Sequence, residues 1–208
     1  MNKFLYKLFR VFPHLKIIFY LYYNRLYFKL IGIEYGKNLQ VFNKIDVRGK
    51  GKIIIGDDLL FTSGDDLNPL CRNIRGMLFT STHGEILMGN KVGISSASLW
   101  ASKKITIGNN VNIGADSLII DTDAHPHHYL KRRRDYVSTM DKCAYEEVIP
   151  SSPIVIDDDV WIGARCQILK GVHIGARSII AAGSVVVKDV PADCIAGGNP
   201  CKVIRCLE

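Results

Sequence analysis

No two of the six cysteines in this chain have the CxxC spacing; they stand at positions 71, 143, 166, 194, 201 and 206. Small secreted domains that depend on disulfides show a dense and regular cysteine framework, and that pattern is missing here. In a chain of 208 residues without an export signal, we expect reduced thiols in the cytoplasm.

A long apolar run is also missing. The longest run in the N-terminal region, residues 17–23, contains only seven residues. A membrane-spanning helix needs about 20 apolar residues, so this region does not predict one. It also lacks the small-residue cleavage site of a secretory signal peptide.

Acidic residues are scarce in the first 50 positions, where only Glu34 and Asp46 stand against ten Lys and Arg, a net charge of +8. The other 158 residues carry 17 basic and 18 acidic side chains, which leaves −1. The basic character therefore belongs to the N-terminal segment. No nucleic-acid recognition module accompanies it, so we expect no nucleic-acid partner.

Ten of the nineteen Phe, Tyr and Trp residues lie within residues 1–30, interleaved with Lys and Arg. This pattern predicts an amphipathic helical segment over residues 1–32, broken at Pro13. Two interpretations remain open at this point. The helix packs on its own domain or a neighbouring subunit, or residues 1–30 contact an anionic membrane surface. The second would place the protein at the inner face of the membrane.

The C-terminal half repeats with a period of six. Aliphatic residues occupy the first position of six successive hexads and small or β-branched residues the fifth, beginning with Ile156 and Val160. The same period of six appears at Ile107, Ile113 and Ile119. It recurs in a phase-shifted stretch at Met88, Ile94 and Trp100, and in a weaker block at Tyr35, Val41, Val47 and Ile53.

Neither the helical period of 3.6 nor simple strand alternation explains a period of six. Three hexads form one triangular coil of short strands and tight corners, and successive coils stack into a continuous core. The sequence therefore predicts an all-β solenoid over residues 33–190. The repeat blurs between residues 56 and 86, where we expect a bulge or short insertion. Residues 191–208 are expected to form a tail that packs on the last coils.

The repeat stops at one histidine. Six residues after Ile119 stands His125, where the next aliphatic residue belongs, and the pattern resumes only at Ile156. The intervening polar segment predicts an excursion loop over about residues 125–153, and long loops in compact domains are usually functional. His125 thus stands where the regular structure ends.

The residues that carry the repeat resemble a known family. The stretch ITIGNNVNIGADSLIIDTDAHP, a loop, and then VWIGARCQILKGVHIGARSIIAAGSVVVKDVPADCIAGGNPCKVIR resemble the hexapeptide-repeat acyltransferases. The similarity is to maltose and galactoside O-acetyltransferases and to bacterial polysaccharide O-acetyltransferases, over residues 86–206. The resemblance implies a left-handed parallel β-helix, a homotrimer with sites between subunits, acetyl-CoA as co-substrate, and no metal.

The same resemblance implies that His125 is the catalytic base. A neutral imidazole, with an ordinary pKa of about 6.5, is suited to take the proton from a sugar hydroxyl as it attacks a thioester. A carboxylate that orients His125 would complete the site, and Asp123 is favoured over Asp121, Glu146 and Glu147. Asp123 has an alternative role in satisfying backbone N–H groups at a corner.

Further roles are implied residue by residue. The positions for CoA binding are Ala164, Ala182, Val187, Lys188, Lys202 and Arg205. Ala164 and Val187 stand where the sugar acetyltransferases commonly have hydroxyl residues. For the acceptor, Ser95 or Ser96 takes the place of an asparagine, and His128 is a loop residue that contacts substrate or solvent. The basic run at 131–134 either attracts an anionic ligand or is simply solvated.

The expected function is transfer of an acetyl group from acetyl-CoA to a hydroxyl of a sugar or glycan precursor, lipid-linked acceptors included. Three alternatives remain: N-acetylation of an amino sugar, a non-catalytic β-helix scaffold, and a zinc enzyme resembling the γ-class carbonic anhydrases. The zinc alternative needs three convergent histidines, and His125, His127 and His128 are too clustered to supply them.

Overall fold

The computed structural model describes residues 3–64, 68, 70, 74–134 and 149–207. It begins with helix α1 (Lys3–Leu30), which runs through Pro13. The expected break at Pro13 is therefore wrong. Proline removes only one backbone hydrogen bond, and the turns on either side keep their helical conformation. Neither helix in the described part of the chain is long and apolar enough to cross a bilayer.

Eighteen short strands follow, three to each coil of a solenoid. The first three coils contain β1 (Glu34–Tyr35), β2 (Gln40–Phe42), β3 (Asp46–Gly49), β4 (Lys52–Ile55), β5 (Leu60–Thr62), β6 (Met77–Thr80), β7 (Glu85–Met88), β8 (Gly93–Ser95) and β9 (Ser98–Ala101). The next coils contain β10 (Lys104–Ile107), β11 (Asn112–Ile113), β12 (Leu118–Ile120), then helix α2 (Tyr129–Arg134), and β13 (Ile154–Ile156), β14 (Trp161–Ile162), β15 (Gln167–Leu169), β16 (His173–Ile174), β17 (Ile179–Ile180) and β18 (Val185–Val186).

Corresponding strands of successive coils pair in parallel and form the three faces of a prism. Sheet A contains β1, β4, β7, β10, β13 and β16, and sheet C contains β3, β6, β9, β12, β15 and β18. Sheet B contains β2, β5, β8, β11, β14 and β17, extended by β19 (Cys194–Gly198) and the antiparallel β20 (Cys201–Cys206). The predicted parallel β-helix is confirmed.

The period of six is the spacing of the inward-facing side chains. All six first-position residues from Ile156 to Val186 are at most 1% exposed, and the fifth-position residues from Val160 to Val190 are at most 5% exposed. The glycines that follow several inward aliphatics are required by the stacking. A Cβ on Gly114 would lie 2.5 Å from the backbone nitrogen of Ala164 in the next coil.

One corner lies between sheet A and sheet B of each coil, and a ladder of side chains reinforces it. The backbone N–H of Asp57 donates to Asn90 (2.8 Å), that of Asn90 to Asn109 (2.9 Å), and that of Asn109 to Asp158 (2.6 Å). These bonds satisfy corner amides that face away from the strand ladders. They also join successive coils outside the core.

The inward assignment of Trp100 is wrong. Leu99 is fully buried, while Trp100 faces outward and packs edge-on against Phe79, with ring centroids 5.0 Å apart. The corner before β9 is one residue shorter than in the later coils, because Ser96 turns the chain with φ +42° and its N–H bonds to the carbonyl of Thr62. The inward spacing there is therefore five instead of six.

Helix α1 closes the open end of the prism through its C-terminal turns. Phe28 is fully buried, and the buried Asn24 donates to the carbonyls of Val41 (2.8 Å) and Asn43 (2.9 Å). Arg25 donates to the carbonyl of Leu39 (3.0 Å). The first coil has no earlier coil to stack on, and this part of the helix covers it.

Two neighbouring isoleucines of β4 test which face of the strand is directed into the core. Ile55 is 2% exposed, and its neighbour Ile54 faces outward. We expect Ile55→Ala to lower the free energy of unfolding by about 2–5 kcal/mol, because it leaves a cavity between coils. Ile54→Ala introduces the same change on the outer face and should cost less than half as much. Denaturant unfolding measures both, and equal losses would contradict the assigned register.

Candidate functional site

The excursion leaves the prism through a narrow neck at the corner between sheet C and sheet A, here called the CA corner. The N–H of Ser152 donates to the carbonyl of Asp121 (2.9 Å), and the N–H of Asp123 donates to the carbonyl of Pro150 (3.0 Å). An antiparallel bridge between Thr122 and Ser151 lies within this neck. The outgoing and returning strands therefore hold each other at the base of the excursion.

Asp121 fixes the start of the neck. It is fully buried, and its carboxylate accepts the backbone N–H groups of Ser102 (2.6 Å), Lys103 (2.8 Å) and Lys104 (2.7 Å) in the preceding coil. Burial raises the pKa of the Asp121 carboxyl above its ordinary value, although these amides act in the opposite direction. The contacts of this carboxylate are with a corner of the solenoid.

Asp123 joins the neck to the next coil. Its Oδ1 lies 2.8 Å from Nζ of Lys170, and its Oδ2 lies 2.5 Å from Nε2 of His127. Burial raises the pKa of the Asp123 carboxyl, but the hydrogen bonds from Lys170 and His127 hold it below the ordinary value. The structure therefore brings Asp123 to His127, two residues beyond the predicted base. Glu146 and Glu147 lie outside the described residues.

His125 emerges from the neck onto the surface. It follows Ala124, which takes the left-handed conformation (φ +59°), and its ring is exposed, outside the aliphatic core. The next residue, Pro126, is buried, and Arg132 of α2 donates to the carbonyls of Pro126 and His127. The backbone on both sides of His125 is thus anchored.

His128 lies beside the predicted base and is exposed. Its ring stacks on that of Tyr129, with centroids 5.2 Å apart and an interplanar angle of 18°. The guanidinium carbon of Arg133 lies 5.3 Å from the Tyr129 ring centroid. The basic run at residues 131–134 is therefore part of helix α2, with Arg132 and Arg133 engaged in local contacts.

A cavity of about 350 Å³ opens on the outer face of sheet B. Its lining includes Ser95, Gly93, Asn112 and Trp161, together with Leu60, Thr62, Ile94, Ile113 and Gly114. Gly93 creates the hollow, because it lies between Leu60 and Asn112 in the outward row and has no side chain. A Cβ on Gly93 would lie 2.7 Å from the side-chain oxygen of Asn112.

The two candidate acceptor serines differ in position. Ser95 lines the cavity. Ser96 is fully buried, and its hydroxyl oxygen accepts the N–H of Gly64 (2.8 Å). The Ser96 side chain therefore supports the backbone just after β5, at Gly64, and Ser95 has the better position for ligand contact. The segment between β5 and β6 lies within the stretch where the repeat blurs.

Several cavity residues were not identified from the sequence. Trp161 is 56% exposed although it is a large aromatic residue, and Thr62 has a buried hydroxyl oxygen without a hydrogen-bond partner among the described residues. Trp161 stands at the sixth, outward position of its hexad, as does Asn112 in its own coil. A large aromatic residue at this outward position was the sequence signal that could have identified Trp161. Thr62 and Leu60 had none, because the repeat is blurred there.

Ala164 and Ala182 lie in adjacent coils at the corner between sheet B and sheet C, here called the BC corner. The N–H of Gly183 donates to the carbonyl of Ala164 (2.9 Å). Lys202 pairs with Gly197 in the hairpin of β19 and β20, and Arg205 pairs with Ile195. Lys202 and Arg205 are exposed. These four predicted CoA positions follow sheet B and its BC corner toward the C-terminal end.

Val187 and Lys188 lie elsewhere. They follow β18, so they stand at the CA corner of the sixth coil, and both are exposed. His125 belongs to the CA corner as well, two coils earlier. The predicted site residues therefore form two groups, one at each edge of sheet C. A single chain presents these groups in different directions.

The described residues contain no group of three or more His, Cys, Asp or Glu side chains arranged to hold a metal ion. His127 contacts Asp123, as described above, and His173 contacts Asp157 at 2.9 Å on the surface.

Two protein-family models match the repeat of this chain. The model described as "Bacterial transferase hexapeptide (six repeats)" matches residues 153–188, and that described as "Hexapeptide repeat of succinyl-transferase" matches residues 104–120. Both segments lie in the regular coils on either side of the excursion.

Three relatives extend the comparison. Galactoside O-acetyltransferase of Escherichia coli K12 is 40% identical over 102 residues, which are 49% of this chain and 43% of that protein. A tetrahydropyridine-dicarboxylate N-acetyltransferase of Staphylococcus aureus Newman is 53% identical over 55 residues, 26% of this chain and 23% of that protein. The structure of a hexapeptide-repeat-containing acetyltransferase from Vibrio cholerae, complexed with acetyl coenzyme A, aligns with a TM-score of 0.50 and 35% identity. That alignment covers 59% of this chain and 61% of that one.

The fold and the matched repeats define a parallel β-helix of the hexapeptide class. Within this class, the chain is similar to hexapeptide-repeat acetyltransferases over the coils that it shares with them. The chain spans less than half the length of the two curated relatives named above.

Gly93→Val tests whether the cavity receives the acceptor. The new side chain fills the hollow and displaces the Asn112 amide, so kcat/KM for an accepted saccharide should fall by about 10–200-fold. The KM for acetyl-CoA should stay unchanged. Thr106→Val places the same residue on the outer face of sheet A and serves as the matched control. Steady-state kinetics with each substrate varied in turn measure these effects. An unchanged kcat/KM for the acceptor would show that the cavity does not bind it.

Proposed function

We propose that this protein transfers an acetyl group from acetyl-CoA to a hydroxyl of a sugar or glycan precursor, and that it works as a homotrimer. The observation that carries this proposal is the position of His125. Its imidazole is exposed at the CA corner, just beyond the hydrogen-bonded neck where the repeat stops. Hydrogen bonds at the neck and from Arg132 anchor the backbone on both sides of His125, and a general base needs a defined position.

His125 is assigned the proton transfer. Acetyl-CoA supplies an acetyl group activated as a thioester, and the acceptor hydroxyl is a weak nucleophile until its proton is removed. The neutral ring of His125 accepts that proton as the hydroxyl oxygen bonds to the acetyl carbon. The proton can then pass to the departing CoA sulfur, so the ring returns to its neutral form.

Asp123 is assigned a positioning role. Through Lys170 it ties the neck to the fifth coil, and through His127 it fixes the backbone just beyond His125. Its lowered pKa keeps the carboxylate charged at a lower pH than an ordinary aspartate, so the contact with the Lys170 ammonium persists further into the acid range. In this way Asp123 restrains the base without serving as the base.

The BC corner is the proposed place for CoA. Ala164 and Ala182 leave little side-chain volume there, so a narrow pantetheine arm can lie against successive coils. Lys202 and Arg205 at the end of sheet B supply positive charge for the nucleotide phosphates. Val187 and Lys188 contribute from the CA corner of a neighbouring subunit.

The separation of the two groups favours a trimer. The cavity and the alanine row lie on sheet B and its BC corner, while His125 lies across sheet C at the CA corner. A second copy that places its CA corner beside the first copy's BC corner would unite base, cavity and CoA groove. A closed ring of three copies repeats this contact three times.

The acceptor is proposed from the cavity. Its polar members are Ser95, Thr62 and Asn112, and Trp161 offers an aromatic face. Hydroxyl and amide groups beside an aromatic side chain fit a sugar ring, which has polar edges and an apolar face. The galactoside O-acetyltransferase of E. coli supports this acceptor class.

N-acetylation of an amino sugar is the second candidate. The S. aureus relative, which shares 55 residues of the coils at 53% identity, is an N-acetyltransferase and supports transfer to nitrogen. The same base would accept a proton from the attacking amine. Mild alkali cleaves an acetyl ester and leaves an acetamide intact, so alkaline treatment of the product separates the two reactions.

His125→Ala should lower acetyl transfer by about 10²–10⁴-fold, because the hydroxyl proton then has no acceptor in the site. The variant should retain its oligomeric mass and its unfolding midpoint, since the ring lies outside the core. His173→Ala is the matched control, because His173 is also exposed and contacts an aspartate on the surface. The measurement is thiol release from acetyl-CoA across a panel of mono- and oligosaccharides. Full activity in His125→Ala would refute the assigned base.

Mixed trimers test whether two chains share each site. His125→Ala chains retain an intact cavity, and Gly93→Val chains retain an intact base. When the two are co-expressed with different tags and the mixed trimers are isolated through both tags, each mixed trimer has one complete site of three, so about a third of the wild-type sites should be restored. Mixed trimers no more active than either parent would place the base and the cavity of each site on one chain.

A further inference from the structure

The exposed face of helix α1 is apolar. Leu15 is 56% exposed, Tyr22 69% and Leu30 74%. With them stand further exposed large side chains at spacings of three or four residues, which places them on one face. This apolar stripe consists of Leu15, Ile18, Phe19, Tyr22, Leu26 and Leu30.

The opposite face of the helix is the one that holds it to the prism. The fully buried Phe28 packs there, and Asn24 bonds to two carbonyls of the first coil. These contacts fix the rotation of the helix about its own axis. The apolar stripe is therefore directed away from the domain, and a helix docked only to stabilise its own fold would have buried it instead.

The charges on the same segment have one sign. Residues 1–33 contain six Lys and Arg and no acidic residue, since Glu34 is the first. Lys16 and Lys29 are exposed at the two ends of the stripe. An apolar face flanked by basic residues matches the interface of an anionic bilayer, where apolar side chains enter the headgroup boundary and Lys or Arg meet lipid phosphates.

A second copy of the chain fits this surface less well. Two such helices in contact would bring together two segments whose only charged side chains are basic, and like charges at an interface oppose association. An anionic lipid surface supplies both the missing negative charge and an apolar layer.

We propose that the apolar stripe of α1 binds the surface of an anionic lipid bilayer, with the helix lying in the interface plane. The first coil would then face the membrane, and later coils would stack away from it. This inference does not depend on the proposed acetyl transfer, because it uses only the helix and its attachment to the first coil.

Vesicle co-sedimentation of the full chain, without acetyl-CoA, tests the proposal. The wild type should bind vesicles of phosphatidylcholine with phosphatidylglycerol and bind much more weakly to phosphatidylcholine alone. Binding should also weaken as salt is raised. Ile18→Glu places a charge in the stripe and should lower binding by about tenfold or more. Ile204→Glu makes the same exchange at an exposed isoleucine of β20 and should bind like the wild type.

Lys29→Glu tests the electrostatic part, because it reverses one exposed charge and leaves every stripe residue in place. It should weaken binding to the anionic vesicles several-fold. Light scattering without vesicles should give the same mass for Ile18→Glu and the wild type. A wild type that does not bind anionic vesicles, or an Ile18→Glu variant that binds as well as the wild type, would overturn the proposal. Failure to bind combined with a lower mass for Ile18→Glu would assign the stripe to contact between copies.

Discussion

The whole structure depends on the close stacking of one coil on the next. Each strand is only two to four residues long along most of the solenoid, so it has no stability of its own and gains it from parallel neighbours in two adjacent coils. This stacking needs an aliphatic side chain inside and a residue without bulk at the corner. Gly114, whose Cβ would meet the backbone of the next coil, shows how little space remains. The corner ladder through Asn90 and Asn109 completes the link.

The same constraint explains why the proposed site lies where the repeat is broken. A regular coil offers flat faces and corners without depth. Depth arises on sheet B, where Gly93 has no side chain in the outward row. The neck between Asp121 and Ser152 limits the effect of the interruption on the core, because both ends of the excursion return to neighbouring backbone groups. A rigid solenoid can therefore carry an irregular segment and still position one exposed histidine.

The two ends of the prism differ in chemistry. At the first coil, helix α1 covers the core with Phe28 and directs an apolar, basic surface outward. At the last coil, the hairpin of β19 and β20 extends sheet B and presents Lys202 and Arg205. The proposed contacts of the two ends differ accordingly, with lipid at the first coil and nucleotide phosphates at the last. A glycan acceptor carried on a lipid would then be held near the membrane on which the enzyme rests.

The sequence by itself determined the solenoid, because the period of six places the repeated aliphatic residues inside a prism of stacked coils. It also determined the position of His125 at the end of the regular coils. The sequence pattern placed Trp100 inside the prism, which is wrong. The corner before β9 is one residue shorter than the others, and no local pattern in the sequence indicates this change of spacing. Only the tertiary structure decided that Asp123 contacts Lys170 and His127, and that Ser95 lines a cavity while Ser96 supports a corner. These choices depend on which atoms of distant coils come together, and spacing along the chain does not encode that.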